Sequence, residues 1–285
     1  MRASARATLQ YLELKPGSSA LLCLSPRYIA GLMMLVRAEV GELKLTIREP
    51  SAQPISPGDQ FDFTALVPYQ AQASISHLRQ VNNTLVGGGA LSPALEKKLA
   101  MVPSRIFHTY GMTETITHIA LRQIAPKPPQ KYFNTLPGVK VSCNSYDCLV
   151  IDASAIGVKN LATNDVARCI SGTEFEWLGR ADNVINSAGI KLHPEQLEKE
   201  IGELPYPYFL AGIPHESLGE QLILVLEMQE PWQPVEEQIV EHQLQKLSDY
   251  RRPKAVWCTR NFQRTATSKI KRKATLQNKD LQHLR

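Results

Sequence analysis

The sequence of 285 residues lacks long apolar runs and is poor in the residue types that mark non-globular chains. Its longest apolar run, Tyr28 to Val36, has nine residues, whereas a membrane-spanning helix needs about 20. Gly and Pro number 16 and 19, which excludes collagen-like and low-complexity chains. Hydrophobic residues make up 43% and charged residues 21%, enough to bury a core. We therefore expect a folded protein of one large or two small domains, without a membrane span.

Cysteine is also scarce, and its spacing predicts no metal site. The five cysteines are an odd number and include no close pair of the zinc-ribbon type. We expect them to stay reduced in a cytoplasmic protein. The segment after Met1 has no continuous apolar core of the signal-peptide kind, which favours the same location. The cysteines are Cys23, Cys143, Cys148, Cys169 and Cys258.

Positive charge is concentrated near the C-terminus. The formal charge of the whole chain is +5, yet residues 251–285 alone carry eleven Lys or Arg and one acid, Asp280. This segment predicts a polyanionic partner. Nucleic acid is disfavoured, because the segment offers few aromatic side chains on which bases could stack. The sequence does not predict the oligomeric state.

Hydrophobic patterns predict an α/β fold. Up to about residue 120, short apolar runs alternate with helical patterns, which indicates a parallel sheet. From about 132 to 178 the pattern changes to short strands and turns, and beyond 183 it predicts a small α+β unit. The predicted strands are 20–25, 43–49, 63–69, 105–109, 148–152, 174–178, 209–213 and 221–228, with a hairpin over 183–193. The predicted helices are 29–40, 92–101, 194–201 and 235–247.

Polar motifs accompany these elements. Thr-Tyr-Gly-Met-Thr-Glu-Thr at 109–115 follows a predicted strand, which is where α/β proteins place ligand sites. Its hydroxyls can donate to a phosphate, and Glu114 can ligate Mg²⁺ through oxygen. The other motifs are a glycine triplet within 86–91, Thr-Asn-Asp at 163–165, Gly-Arg-Ala-Asp at 179–182 and Thr-Ala-Thr-Ser-Lys-Ile-Lys-Arg at 265–272. Taken singly, each also fits an ordinary turn or a solvated surface segment.

The order and spacing of these motifs resemble the adenylate-forming superfamily of acyl- and aryl-CoA ligases. Within it, segments 25–40, 64–70, 110–122, 136–142 and 175–198 resemble most closely the o-succinylbenzoate–CoA ligases of menaquinone biosynthesis. Segment 175–198, FEWLGRADNVINSAGIKLHPEQLE, is the most specific. The resemblance implies ATP, Mg²⁺ and CoA as ligands. It also implies a large AMP-binding domain over 1–181 and a small mobile domain over 182–285.

The resemblance implies roles for residues of the large domain in binding the nucleotide. Adenine and the acyl group would lie beside Gly88, Gly89 and Ala90; Tyr110, next to Gly111, would stack on adenine; Thr113 would contact the α-phosphate; Glu114 would hold Mg²⁺; and Asp165 and Arg180 would bind the ribose. A carboxylate suits two ribose hydroxyls, and hydroxyl donors suit phosphate oxygens.

Further roles concern the small domain. Lys269 would be the adenylation lysine, bridging carboxylate and phosphate oxygens while charge moves onto pyrophosphate. Asp182 would be the hinge about which this domain swings. Gly189 and Lys191 would then lie in the loop that covers the pantetheine channel of CoA.

The sequence departs from the family pattern at three places. Asn164 and Ser268 stand where glycine is usual. The family's phosphate loop, rich in Ser, Thr and Gly and ending in Pro-Lys, precedes the segment that matches residues 1–15, and no such loop occurs in the sequence. Either the sequence is an N-terminally shortened version or the protein lacks the loop. The second alternative favours a non-catalytic acyl-adenylate-binding remnant, because the β- and γ-phosphates lose their cradle.

Arg37 is the candidate contact for the acid. It lies in the predicted helix 29–40 among apolar residues, where an unpaired guanidinium is costly. o-Succinylbenzoate carries a second carboxylate, with which arginine can pair bidentately. The alternative is a surface ion pair with Glu39 or Glu42. The predicted function is thus o-succinylbenzoate–CoA ligase, with another acyl- or aryl-CoA ligase as the alternative.

Overall fold

The computed structural model describes residues 1–230, 232–265 and 269–285. The chain forms two compact units, Met1–Thr163 with Ala167–Trp177 and Asn164–Val166 with Leu178–Arg285. Ser268, where the family pattern has glycine, lies outside the described residues. Within the described ranges, no helix is long and apolar enough to cross a membrane.

The helices and strands follow the predicted α/β pattern. Helices are α1 (Arg2–Leu12), α2 (Ile29–Gly41), α3 (Pro68–Ala73), α4 (Pro93–Leu99), α5 (Pro194–Ile201), α6 (Pro234–Leu244) and α7 (Arg272–Thr275). Strands β1 to β11 are Ser19–Leu22, Lys44–Ile47, Phe61–Leu66, Val81–Val86, Arg105–Gly111, His118–Ala125, Phe133–Thr135, Lys140–Cys143, Cys148–Ala153, Val158–Ser171 and Glu174–Arg180. Strands β12 to β17 are Ile185–Ser187, Ile190–Leu192, Tyr208–His215, Gly219–Glu227, Ala255–Thr259 and Gln282–His283.

Strands β1 to β11 form one mixed sheet in the order β2-β1-β3-β4-β5-β6-β7-β11-β10-β9-β8. The first five strands pair in parallel, as predicted. Pairing becomes antiparallel at β6. Because parallel strands end at the same edge of a sheet, the loops after β3, β4 and β5 lie together there. This arrangement brings the glycine triplet and the 109–115 motif to one edge.

Local chemistry sets the start of α4 at the predicted place. The Ser92 hydroxyl accepts a hydrogen bond from the Leu95 N–H over 3.2 Å. Pro93 occupies the first helical position, where a missing N–H costs nothing. This cap ends the loop that contains the glycine triplet, so the loop is anchored by β4 on one side and by α4 on the other.

The second unit has its own sheet, in the order β13-β12-β15-β16-β17, with β14 paired to β15. Strands β14 and β15 are antiparallel over their whole length, so their side chains alternate between two faces. Leu210 and Leu224 face one hydrophobic cluster, while Phe209 and Val225 face another. The second cluster also holds Phe262, shortly before Lys269.

Two of the five cysteines are paired, so the expectation that all stay reduced is wrong. Cys143 on β8 and Cys169 on β10 form a disulfide, with Cα atoms 6.1 Å apart. Although β9 separates these strands in the sheet order, the Val141 N–H donates to Gly172 O over 2.9 Å, which brings the edge strand to the end of β10. The remaining three cysteines are free and buried.

Candidate functional site

The glycine triplet packs closely against the end of β5. The Gly87 N–H donates to Leu66 O over 3.1 Å, and a Cβ at position 87 would collide with the Thr109 hydroxyl. Gly88 has a φ of +80°, a conformation that favours glycine. Ala90 is exposed at the end of the loop. Gly87, which the sequence analysis does not single out, is therefore the glycine that this close packing requires.

Tyr110 and Gly111 close β5. The Tyr110 ring is 9% exposed and lies edge-on to Phe175, with centroids 5.1 Å apart. It also meets Phe133 at 5.9 Å. A Cβ at position 111 would collide with the backbone of His118, so the turn into β6 depends on glycine here. The tyrosine is thus held by other aromatic side chains, with only a small part of its surface open.

Thr113 and Glu114 project from the short 3₁₀ turn that follows. Both are exposed, whereas the neighbouring Thr115 is buried. The Thr115 hydroxyl lies 2.8 Å from Thr117 O and accepts from the Met112 N–H over 3.1 Å. These hydrogen bonds of the buried Thr115 stabilise the turn, while the side chains of Thr113 and Glu114 remain exposed to solvent.

The turn suits Mg²⁺ only together with a bound polyanion. Glu114 offers one exposed carboxylate, an oxygen ligand of the kind Mg²⁺ takes. Over residues 1–230, 232–265 and 269–285, no three His, Cys, Asp or Glu side chains are grouped to hold a metal ion. Mg²⁺ commonly keeps one or two carboxylates and takes its other oxygens from phosphates and water, and Glu114 fits that kind of site.

Arg37 is buried inside the first unit and is 2% exposed. Its Nη2 lies 3.4 Å from the Thr117 hydroxyl and 3.5 Å from His118 Nδ1, while its Nε has no hydrogen-bond partner. Among the described residues, no carboxylate pairs with it, and Glu39 pairs instead with Arg2. The surface ion pair considered for Arg37 is therefore not formed. Burial lowers the pKa of Arg37 to about 10, so the guanidinium remains charged at neutral pH.

His118 is a partner of Arg37 that the sequence analysis missed. It is 7% exposed, and its Nε2 lies 3.0 Å from the Thr8 hydroxyl. Burial, with a contribution from the charge of Arg37, holds the pKa of His118 well below its ordinary value. A small cavity of about 40 Å³ beside His118 is lined mainly by apolar residues, with Ser4 from α1. Arg37 thus places a buried cation beside a neutral imidazole.

In the second unit, the Thr-Asn-Asp and Gly-Arg-Ala-Asp motifs lie side by side. Arg180 Nη1 is 3.6 Å from Asp165 Oδ1, and Nη2 is 3.7 Å from Asp182 Oδ2. Asn164 donates a hydrogen bond to the same oxygen of Asp182. Asp165 is buried, whereas the other two charged side chains are about half exposed. The cluster offers an oriented carboxylate beside a cation.

The remaining predicted residues lie at the surface of the second unit. Gly189, with a φ of +80°, forms the turn between β12 and β13, and Lys191 pairs with Asn186 across this hairpin. The Lys269 N–H donates to the Thr265 hydroxyl over 3.1 Å, and the side chain is exposed.

Comparisons with known proteins identify the fold and the family of the chain. No protein-family model matches the chain. The crystal structure of an acyl-CoA synthetase (AMP-forming)/AMP-acid ligase II-like protein from Dyadobacter fermentans is 34% identical, with a TM-score of 0.62, and the match covers 97% of this chain and 82% of that one. O-succinylbenzoate coenzyme A synthetase from Bacillus subtilis, solved with ATP and magnesium, is similar in fold, with a TM-score of 0.79 at 17% identity, covering 96% and 64%.

The adenylate-forming type of α/β fold is therefore confirmed. The chain belongs to the family of AMP-forming acyl-CoA synthetases and AMP-acid ligases. A curated relative, 2-succinylbenzoate–CoA ligase from Lactococcus lactis, is 24% identical over 215 residues, which is 69% of this chain. The chain spans about half the length of that relative, 47%.

Proposed function

We propose that the protein is an acid–thiol ligase that adenylates a carboxylic acid with ATP and passes the acyl group to CoA. The observation that carries this proposal is the pairing of buried Asp165 with Arg180, which joins two motifs of the family in one cluster. The 34% identity to an AMP-forming synthetase supports it. In this proposal Asp165 accepts the ribose hydroxyls and Arg180 holds the ribose from its exposed side.

The other candidate residues take the roles that their family motifs imply. Gly88, Gly89, Ala90, Tyr110 and Gly111 bind adenine and border the acyl group, Thr113 contacts the α-phosphate, Glu114 holds Mg²⁺, and Gly189 and Lys191 meet CoA. Mg²⁺ supplies charge neutralisation on the phosphates when bound. Residues 1–181 form the AMP-binding domain and 182–285 the domain that moves about Asp182.

Lys269 supplies the positive charge for adenylation. Its exposed ammonium bridges the carboxylate and phosphate oxygens while negative charge moves onto pyrophosphate. Such a donor contributes a factor of about 10²–10³ to the rate. Because the lysine acts on the first step only, its loss separates the two half-reactions.

For the acid we propose o-succinylbenzoate, which places the enzyme in menaquinone biosynthesis. Arg37 is a buried cation with an unpartnered Nε, and no carboxylate of the described residues pairs with it, so a second carboxylate from the substrate would complete its pairing. The name of the Lactococcus relative supports the same acid. A ligase for an acid with a single carboxylate would not need this cation.

The function is tested by incubating the chain with ATP, Mg²⁺, o-succinylbenzoate and CoA while AMP and thioester are measured. We expect both products, with Lys269→Ala losing adenylation but keeping thioester formation from supplied acyl-adenylate. Lys191→Ala serves as the matched control, a lysine of the same unit that should keep adenylation. Thioester from supplied adenylate alone would restrict the function to the second half-reaction. No thioester from either source would favour the non-catalytic remnant.

The acid is tested with Arg37→Met, which removes the charge and keeps much of the side-chain volume. We expect the KM for o-succinylbenzoate to rise at least tenfold while the KM for ATP stays within about twofold, since one charge-assisted pair is lost. Benzoate, which has a single carboxylate, is the matched substrate and should respond little. An equal response to both acids would assign the site to another acyl or aryl acid.

A further inference from the structure

Two arginines flank Thr265 and Lys269, the two described residues of the lysine loop, one on each side. Arg264 precedes the loop and Arg272 follows Lys269 by three positions. Arg264 makes two hydrogen bonds to Glu227 at the end of β15, of 2.6 and 2.5 Å. The side chains meet in the bidentate geometry that gives strong, directional pairs.

Arg272 is fixed equally well, on the opposite flank. Its Nη2 donates to Glu198 of α5 over 2.9 Å, and its Nη1 donates to Leu210 O of β14 over 3.0 Å. Glu195 Oε1 lies 3.5 Å from the same guanidinium. The residue thus connects α7, α5 and β14, three elements that together carry the C-terminal side of the loop.

An aromatic pair connects the two arginines. Arg264 lies over the Phe262 ring at 5.4 Å, and Arg272 lies over the Phe209 ring at 5.8 Å. The two rings are edge-to-face with centroids 5.0 Å apart, and both are almost fully buried. Each cation is therefore held by a carboxylate on one side and a ring on the other, which restricts it to one position.

Backbone hydrogen bonds next to the two arginines also order the chain at Thr265 and Lys269. Arg264 and Ile270 form an antiparallel bridge. The Thr265 N–H donates to Lys269 O over 2.8 Å, and the Lys271 N–H donates to Gln263 O over 2.7 Å. Lys269 itself is exposed, so its own side chain contributes little to this order.

We propose that Arg264 and Arg272 are positioning residues for Lys269, and that with Phe209 and Phe262 they form a platform that presents its ammonium in one direction. The proposal rests on the function proposed for Lys269. A lysine on a flexible loop would lose conformational entropy each time it met the reacting oxygens, and the platform removes much of that cost before the substrates bind.

The first test needs no activity. Hydrogen exchange of the whole chain is measured for Arg264→Met and Arg272→Met. Arg285→Met is the control, since Arg285 is about as exposed as Arg264 and pairs with Glu241 elsewhere in the unit. In the two platform variants we expect exchange at the Thr265, Lys269 and Lys271 amides to rise about tenfold, as for the loss of one charge-assisted bond. The control should leave these amides unchanged.

The half-reactions provide the second test. We expect adenylation to fall about tenfold in Arg264→Met, thioester formation from supplied acyl-adenylate to be kept, and Arg264→Lys to recover part of the loss. Unchanged exchange at the loop amides would overturn the positioning role. A uniform rise across residues 178–285 would also overturn it, because the arginines would then be general stabilisers. If the wild type does not adenylate, the proposed function fails, and the exchange result still decides the positioning role.

Discussion

Arg37 donates to Nδ1 of His118 over 3.5 Å in the interior of the first unit. Because arginine can only donate, Nδ1 must be the unprotonated ring nitrogen, and the proton resides on Nε2. That proton points to the Thr8 hydroxyl at 3.0 Å, which in turn donates to Ser4 O at 3.2 Å. The buried guanidinium of Arg37 therefore determines the tautomer of the His118 imidazole. It also determines the direction of the hydrogen bonds from His118 to Thr8 and from Thr8 to Ser4.

Replacing His118 with phenylalanine should destabilise the folded state. The change removes an acceptor from a buried guanidinium, so we expect the free energy of unfolding to fall by about 1–3 kcal/mol in urea denaturation. His118→Gln, whose amide oxygen can still accept, is the control and should fall by less. Equal losses in the two variants would show that the ring volume matters rather than the hydrogen bond.

His118 should also make the stability of the folded state sensitive to acid. Its pKa is lowered in the folded state, so the unfolded chain binds a proton more readily. Stability should therefore decrease as the pH falls below the ordinary value of 6.5, and this part of the decrease should be absent in His118→Gln. Parallel stability curves between pH 7 and pH 5 would contradict this assignment.

Gly87 should be the least replaceable residue of the glycine triplet. An added Cβ would meet the Thr109 hydroxyl, so we expect Gly87→Ala to cost about 1–3 kcal/mol of unfolding free energy. At Gly89 the Cβ would lie an ordinary 3.6 Å from Pro68, so Gly89→Ala is the matched control. Adding Thr109→Ala to the Gly87 variant should relieve the collision. Strict additivity in this double-mutant cycle would refute the steric explanation.

Glu198 should make the second unit less stable at higher pH. Burial raises its pKa to about 7, although Arg272 and the Leu210 N–H lower it. Glu195 also faces it, and the Tyr208 hydroxyl donates to its backbone oxygen. Because the folded state holds the proton more tightly, stability should fall as the pH rises from 4.5 to about 7, by at most about 3 kcal/mol. Urea denaturation should show this fall in the wild type, with Glu198→Gln losing it; parallel curves would be contrary to the expectation.

The disulfide should contribute measurably to the first unit. It closes a loop with a sequence separation of 26, for which restriction of the unfolded chain corresponds to about 3.5 kcal/mol. We expect dithiothreitol to lower the midpoint of urea denaturation in the wild type. The double variant Cys143→Ser with Cys169→Ser should start from the lower midpoint and show no response. A response of similar size in that variant would place the reducible bond elsewhere.

Elements with strong local patterns were predictable from the sequence, and those formed by distant packing were not. The helix over 29–41 and the hairpin over 185–192 match their predictions closely. Strand β4 was missed because its two asparagines disfavour a strand, yet Asn83 is buried and donates to Asp62 O. Helix α1 was missed because it has no side-chain cap and is held by its buried face.

The candidate site shows the same division. Resemblance indicated the residues of the Asp165–Arg180 cluster, because the family motifs are local in sequence. No sequence pattern links Arg37 to His118, which is 81 positions away, or Cys143 to Cys169. Contacts of this kind depend on how β6 and the edge strands are placed in the sheet, and a single sequence does not encode that placement in any short motif.

The burial of Arg37 determines how anion binding at this residue depends on ionic strength. Salt screens charges that are in contact with water but reaches an interior cation poorly. An anion bound at Arg37 would therefore keep its affinity as salt is raised, whereas one bound at exposed Lys269 would lose affinity steadily. The protein thus contains one cation that responds to the electrolyte around it and another that is isolated from it.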